Sequence, residues 1–280
     1  MIEQQAKVYD IVTGSVANLT HSIGEIGAIG LSGSHACGRA DVLSDIDICV
    51  YVQGELPPPQ ARKQAYTGLE FTDFIYFDVD FEYSRGDGVA VSGVRCDFNW
   101  MSVPLVLSFL QGLEHDFDCP EFIPGGSLTV KPLYDPNGVI DKLQKAIPPY
   151  SDARAKHRIE KAINDAHTSL YGLGWLDKAA LRQDHFLFLK CKYNLLDTLF
   201  RALFALNHVW LSDEKGLVQR VASFRYAPEQ IGARIHSIIM HQDEDMGLSN
   251  CLSSLKQLFA NTVSSIHQRY PDLDLPIEWK

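Results

Sequence analysis

Hydrophobic and polar positions change their period once along the 280 residues. Up to about residue 150 the apolar runs are short and rich in β-branched residues. Ala28-Ile29-Gly30-Leu31 reads as a buried strand ending at Ser32-Gly33-Ser34. Ile46-Asp47-Ile48-Cys49-Val50-Tyr51-Val52 is a clearer strand and stops at Gln53-Gly54. Residues 71–83 and 88–102 have strand composition, with Arg85-Gly86-Asp87-Gly88 as a hairpin-turn signal between them. Residues 3–22 predict an opening helix. Pro57-Pro58-Pro59 opens a short one, because proline is tolerated in a first turn. Pro120–Pro132 is punctuated by glycine and proline and predicts a loop.

Past that point the period becomes helical. Ser151-Asp152 offers an N-cap for a helix running to about Tyr171. Phe186, Leu189, Tyr193, Leu196, Leu199, Phe200, Leu203 and Leu206 recur mostly three and four apart. Further helices are predicted at about 228–241 and 248–269. The layout is an α/β domain over 1–149 followed by a helical bundle over 150–280, divided near Pro148-Pro149.

Composition narrows the class. With 46% hydrophobic and 21% charged residues, the chain has the make-up of a soluble protein with a sizeable core. No stretch approaches the ~20 apolar residues of a membrane span. The start, Met1-Ile2-Glu3-Gln4-Gln5, carries no basic targeting region. The six cysteines form no C-x-x-C pair, and Cys49, Cys96 and Cys191 read as buried free thiols. Together these predict a reduced, cytoplasmic protein without a disulfide framework. The net charge is −10, with 9 basic and 20 acidic side chains in 1–150 against 16 and 15 in 151–280. A broad polyanion-binding surface is therefore not expected. Neither histidine-pair spacing, G-x-S-x-G nor a P-loop is present, which removes the usual zinc, serine-hydrolase and P-loop signatures.

The informative stretch is Gly33-Ser34, ten residues, then Asp45-Ile46-Asp47. Alternation on a strand sends both aspartates to one face, about 6.6 Å apart along the backbone, and leaves Ile46, Ile48, Val50 and Val52 for the core. Two close carboxylates repel unless a cation sits between them, and oxygen-only ligands suit Mg²⁺ or Mn²⁺. Gly33-Ser34 stands where a strand becomes a loop or helix. A glycine there lets a phosphate approach the backbone, and the serine hydroxyl with free N–H groups can bind it. His35 is placed either to hydrogen-bond a phosphate or to serve the fold.

On Leu31-Ser32-Gly33-Ser34-His35-Ala36-Cys37-Gly38-Arg39 and Ser44-Asp45-Ile46-Asp47-Ile48, the chain resembles the polymerase-β-like nucleotidyltransferase superfamily. Within it the chain is similar to the aminoglycoside and lincosamide nucleotidyltransferase branch, which carries a C-terminal helical domain. His35 and Cys37 stand where that branch often has arginines. The resemblance covers about residues 26–102 and implies an α+β fold: a mixed β-sheet with flanking helices, then a helical bundle closing over nucleotide and acceptor. It implies a third carboxylate on a neighbouring strand, Asp97, with Asp78-Val79-Asp80 as the rival.

The implied activity is divalent-metal-dependent transfer of NMP from an NTP, expected to be ATP, to a hydroxyl of a small molecule such as an aminoglycoside-like antibiotic. Two Mg²⁺ or Mn²⁺ ions on Asp45, Asp47 and Asp97 are implied, with Gly33, Ser34, Ser44 and Lys215 at the nucleotide. The alternatives are a toxin-type enzyme modifying tRNA or protein, and a degenerate nucleotide-binding module. Some relatives build the site across a dimer, so the resemblance leaves a homodimer open. Lys190 with Lys192, and the run Arg154-Ala155-Lys156-His157-Arg158, read as solvated surface charge. Trp100, Trp175, Trp210 and Trp279 read as core or rim.

Overall fold

A computed structural model describes residues 2–81, 83–172, 174–240 and 247–276. Trp279 lies outside the described residues. The protein is α+β and has two compact units. The first comprises residues up to Asp116 together with Phe122–Pro148; the second comprises Phe117–Glu121 with the chain from Pro149 onward.

The first unit is built on a six-stranded sheet. Its strands are β1 (Ile26–Ser32), β2 (Ile46–Val52), β3 (Asp73–Phe81), β4 (Ser84–Val91), β5 (Val94–Ser102) and β6 (Lys131–Tyr134), in the order β3-β4-β5-β2-β1-β6. Only β2 and β5 run parallel; the other pairs are antiparallel. Ile46, Ile48, Val50 and Val52 are fully buried, as alternation requires. They join Val8, Val12, Val16 and Leu19 from the opening helical stretch in one core. That stretch is a helix over Ile2–Ser15, a tight turn at Val16–Asn18 and a last turn at Leu19–Ser22.

Two sequence expectations are corrected here. Arg85-Gly86-Asp87-Gly88 is not a turn but the interior of β4. β3 and β4 close just before it, where Phe81 pairs with Ser84, and a separate tight turn joins β4 to β5 at Ser92-Gly93, where both residues take positive φ, as a twisted two-residue hairpin demands. The glycines that mimic a turn signal are there for ring packing. A Cβ on Gly86 would lie 2.3 Å from the Phe81 ring, and one on Gly88 2.3 Å from the Tyr76 ring. Asp87 is fully buried: it takes hydrogen bonds from the Arg62 guanidinium, the Tyr66 hydroxyl and the Asp78 N–H. The stretch 120–132, expected to be a loop, contains a helix over Phe122–Ser127 and leads into β6, which pairs with β1.

The second unit is helical among the described residues, with Asp152–His167, Trp175–Arg182, His185–Leu206, Leu217–Ala222, Ile231–Met240 and Leu248–Arg269 as its α-helices. Ser151 caps the first by accepting from the Arg154 N–H, and Asp184 caps His185–Leu206 by accepting from Leu187 N–H. Two lysine and arginine readings change. Arg154 is buried, stacked on Phe117 and Trp210, and Arg158 donates to the Cys119 carbonyl, so the basic run holds the Phe117–Glu121 segment rather than facing water. Lys190 is exposed as expected, but Lys192 is buried, its ammonium donating to the Ile238 carbonyl in the last turn of Ile231–Met240.

The cysteines are free thiols; Cys49 and Cys96 are buried, whereas Cys191 is only half-buried because it lies at the margin of its helix's apolar face. Trp100 and Trp210 are core residues, and Trp175 is 50% exposed. Among the described residues no helix is long and apolar enough to cross a membrane.

Candidate active site

Parallel pairing of β2 with β5 sets Asp47 directly beside Asp97, at one end of both strands. Asp45 immediately precedes β2. Carboxylate oxygens of Asp45, Asp47 and Asp97 all lie within 4.8 Å of one another. Asp97 is buried, while Asp45 and Asp47 are half-buried. The rival, Asp78, belongs to a different network: it takes a hydrogen bond from the Arg62 guanidinium at 2.7 Å.

The loop delivering Asp45 is tied down locally. Asp41 Oδ1 accepts from the Leu43 N–H and the Ser44 hydroxyl, and Ser44 Oγ accepts from the Asp41 N–H. The Leu43 N–H first, and then the Ser44 hydroxyl, hold the exposed Asp41 carboxyl below the usual carboxylate range. Gln5, from the opening helix, donates to the Asp41 and Ser44 carbonyls. Ser44 thus has its hydroxyl engaged with Asp41, in a role that shapes the loop.

On the other side of Asp47 lies β1, with Ser32 paired to Asp47. The chain then turns into the short helix Gly33–Ala36 with Gly33 at φ +62°. Ser34 Oγ and His35 Nε2 are both buried atoms without a hydrogen-bond partner. His35 stacks on Tyr9 with ring centroids 5.0 Å apart. Burial lowers the pKa of His35, and the nearby Asp45 charge opposes that shift. Cys96, beneath the carboxylates, is pushed up to about 12 by burial first and then by Asp97, Asp45 and Asp47.

Two residues of this site were not singled out in the sequence, Arg95 and Tyr76. Arg95 Nε donates to both oxygens of Asp97, at 2.8 and 3.0 Å. Its guanidinium lies over the Tyr76 ring, 5.3 Å from the centroid. Burial, and then the nearby Asp97 charge, raises the Tyr76 hydroxyl to about 12. The signal for Arg95 was available: in Arg95-Cys96-Asp97 the two-residue spacing puts Arg95 on the face of Asp97. Tyr76 reaches Asp97 across β4, a relation that needs the strand order.

The donor set fits a divalent cation. Three carboxylates supply hard oxygen ligands, the type preferred by Mg²⁺ and Mn²⁺. At such separations each carboxylate pair repels by roughly 3 kcal/mol at an effective dielectric of about 20, less where water reaches them. Gly33 leaves the room that the Asp47 carboxylate occupies. The unpartnered Ser34 hydroxyl, next in sequence, is a donor with no internal use. Within the first unit the structure therefore brings together Gly33, Ser34, Asp45, Asp47 and Asp97. Lys215 belongs to the second unit, where it lies just before Leu217–Ala222 with its backbone N–H on Asp213 Oδ1.

No protein-family model matches the chain, and neither does any curated protein. Among solved structures it is similar to a nucleotidyltransferase-like protein from Exiguobacterium sibiricum 255-15. The two are 8% identical over 94% of this chain and 78% of that one, with a TM-score of 0.45. A likeness that distant carries no argument about function.

Proposed function

We propose that the site transfers NMP from an NTP to a hydroxyl group and releases pyrophosphate. The observation that carries this reading is the three-carboxylate cluster, assembled by Asp47 and Asp97 in parallel register with Asp45 beside them. Asp45 and Asp47 would hold one divalent ion and, with Asp97, a second. When bound, such ions would neutralise charge on the attacking and leaving oxygens. The protein's own part is positioning. Gly33 lets the Asp47 carboxylate lie against the backbone, and Ser34 offers a phosphate a hydroxyl. The acceptor oxygen bonds to the α-phosphorus as the bond to pyrophosphate breaks, and Asp97 takes the acceptor's proton.

The acceptor we favour is a small hydroxylated molecule of the aminoglycoside type, with ATP as donor and Mg²⁺ or Mn²⁺ as cofactor. A nucleic-acid acceptor is disfavoured by one observation: the basic side chains between Arg154 and Lys161, which an RNA would need, are engaged inside their own unit. Arg154 is buried there, and Lys156, Arg158 and Lys161 are paired with Asp272, Glu121 and Asp118.

The test is calorimetric titration with non-hydrolysable NTPs, in Mg²⁺ and in EDTA, on the wild type and on Asp45→Asn/Asp47→Asn. Metal-dependent binding that the double variant loses is the expected result. A wild type that binds no NTP in Mg²⁺ overturns the reading.

A further inference from the structure

The arrangement around Asp97 poses a problem of charge. Asp97 is the most buried of the three carboxylates, with a side chain 10% exposed, and it stands among two others. A buried carboxylate is costly to leave without a cation. Arg95 meets that need with one nitrogen shared between both carboxylate oxygens. Its own side chain is 49% exposed and rests on the Tyr76 ring, so it can return to water cheaply. An ion pair with one partner half in solvent is a weak one. One partner is fixed and must be neutralised; the other is mobile and replaceable.

We propose that Arg95 is a removable counter-ion for Asp97, a positioning residue that occupies the third carboxylate until a divalent ion displaces it. This rests on the reading of the cluster as a metal site. It adds an order of assembly to that reading. The ion on Asp45 and Asp47 enters without displacing Arg95, whereas the ion that uses Asp97 enters only as the guanidinium leaves. Asp97 then becomes available to an acceptor proton only in the fully loaded site. The Tyr76 ring stays beside the guanidinium's resting place, so Arg95 can return when the ion leaves.

A rival picture keeps Arg95 on Asp97 permanently, as a brace. The two differ in sign. Removing a competitor strengthens metal binding at Asp97; removing a brace weakens it. The measurement is Mn²⁺ titration without nucleotide, followed by the electron paramagnetic resonance signal of free Mn²⁺. It compares wild type, Arg95→Gln and Arg95→Lys, with Asp45→Asn/Asp47→Asn as control.

We expect Arg95→Gln to bind its weaker Mn²⁺ about two- to five-fold more tightly, the range expected for loss of a partly exposed ion pair. Arg95→Lys should stay near the wild type, because it restores a cation. Thermal melts give a second readout. Metal-free Arg95→Gln should melt below the wild type, and Mn²⁺ should raise its Tm by more than it raises that of the wild type. Unchanged or weaker Mn²⁺ binding in Arg95→Gln overturns the proposal. A wild type that binds Mn²⁺ no better than Asp45→Asn/Asp47→Asn overturns the metal-site reading itself, a separate outcome.

Discussion

Gly33 and Asp47 occupy one space. A Cβ placed on Gly33 would lie 1.9 Å from Asp47 Oδ2, and Gly33 also holds φ at +62°. The glycine is therefore tied to a neighbouring carboxylate as well as to the turn it makes. Two independent reasons, the left-handed backbone and the contact, forbid any larger side chain.

Gly33→Ala should accordingly do more harm to the site than to the fold. The strain of a left-handed alanine costs about 1 kcal/mol. The contact must be relieved by rotating the Asp47 carboxylate away from Asp45 and Asp97. We expect metal-dependent NTP binding to fall at least about ten-fold, the equivalent of roughly 1.4 kcal/mol, with a smaller relative change in the urea midpoint. Calorimetry and urea unfolding on the same preparation check this. Unaltered binding would show that the Asp47 orientation does not matter.

What could be read from the sequence and what could not divides on physical grounds. Asp45, Asp47, Gly33 and the buried Ile46–Val52 face were legible, because strand alternation and a glycine at a strand end are local properties. Pairing of Asp97 with Asp47 was legible only through a resemblance, since register between strands about 50 residues apart is not local. The chain Arg85-Gly86-Asp87-Gly88 was misread because its turn-like glycines answer to Phe81 and Tyr76 rather than to backbone conformation. Arg154 and Lys192 were misread because periodicity ranks charged residues as surface. Both are buried against partners distant in sequence, Cys119 and Ile238.

Asp87 carries a stability prediction. Its carboxylate is fully buried and Arg62 is 1% exposed, so the pair sits beyond the reach of solvent. Asp87 takes Arg62 Nε at 2.9 Å and the Tyr66 hydroxyl at 2.9 Å, and Tyr66 in turn accepts from the Trp100 indole at 2.7 Å. Asp87→Ala strands the guanidinium, with only Asp78 and the Pro57 carbonyl left to it. Breaking a buried pair from one side costs roughly 3–5 kcal/mol. We expect the urea midpoint to drop by that equivalent. Replacing Arg62 and Asp87 together with apolar residues of like volume should recover much of the loss. A single Asp87→Ala within about 1 kcal/mol of the wild type would contradict this account of the network.

Two thiols make alkaline pH informative. Burial raises the Cys49 thiol to about 11 and the Cys96 thiol to about 12, the latter with help from the carboxylate cluster. Both exceed the ordinary thiol value of 9.0, so the folded state holds these protons more firmly than the unfolded state does. Their contribution to stability is full below about pH 9 and is lost as pH rises toward the folded values. Each contributes a slope of about 1.4 kcal/mol per pH unit within its window. Urea midpoints should therefore hold level through pH 8 and fall between about pH 9 and pH 11. At pH 8, below that fall, a thiol reagent should label the half-buried Cys37 and Cys191 well before Cys49 and Cys96. Cys96→Ala should flatten the alkaline fall, because one of the two titrating thiols is gone. An equally steep fall in that variant would assign the alkaline loss to other groups, the buried Tyr51 and Tyr66 hydroxyls foremost, whose values burial also raises.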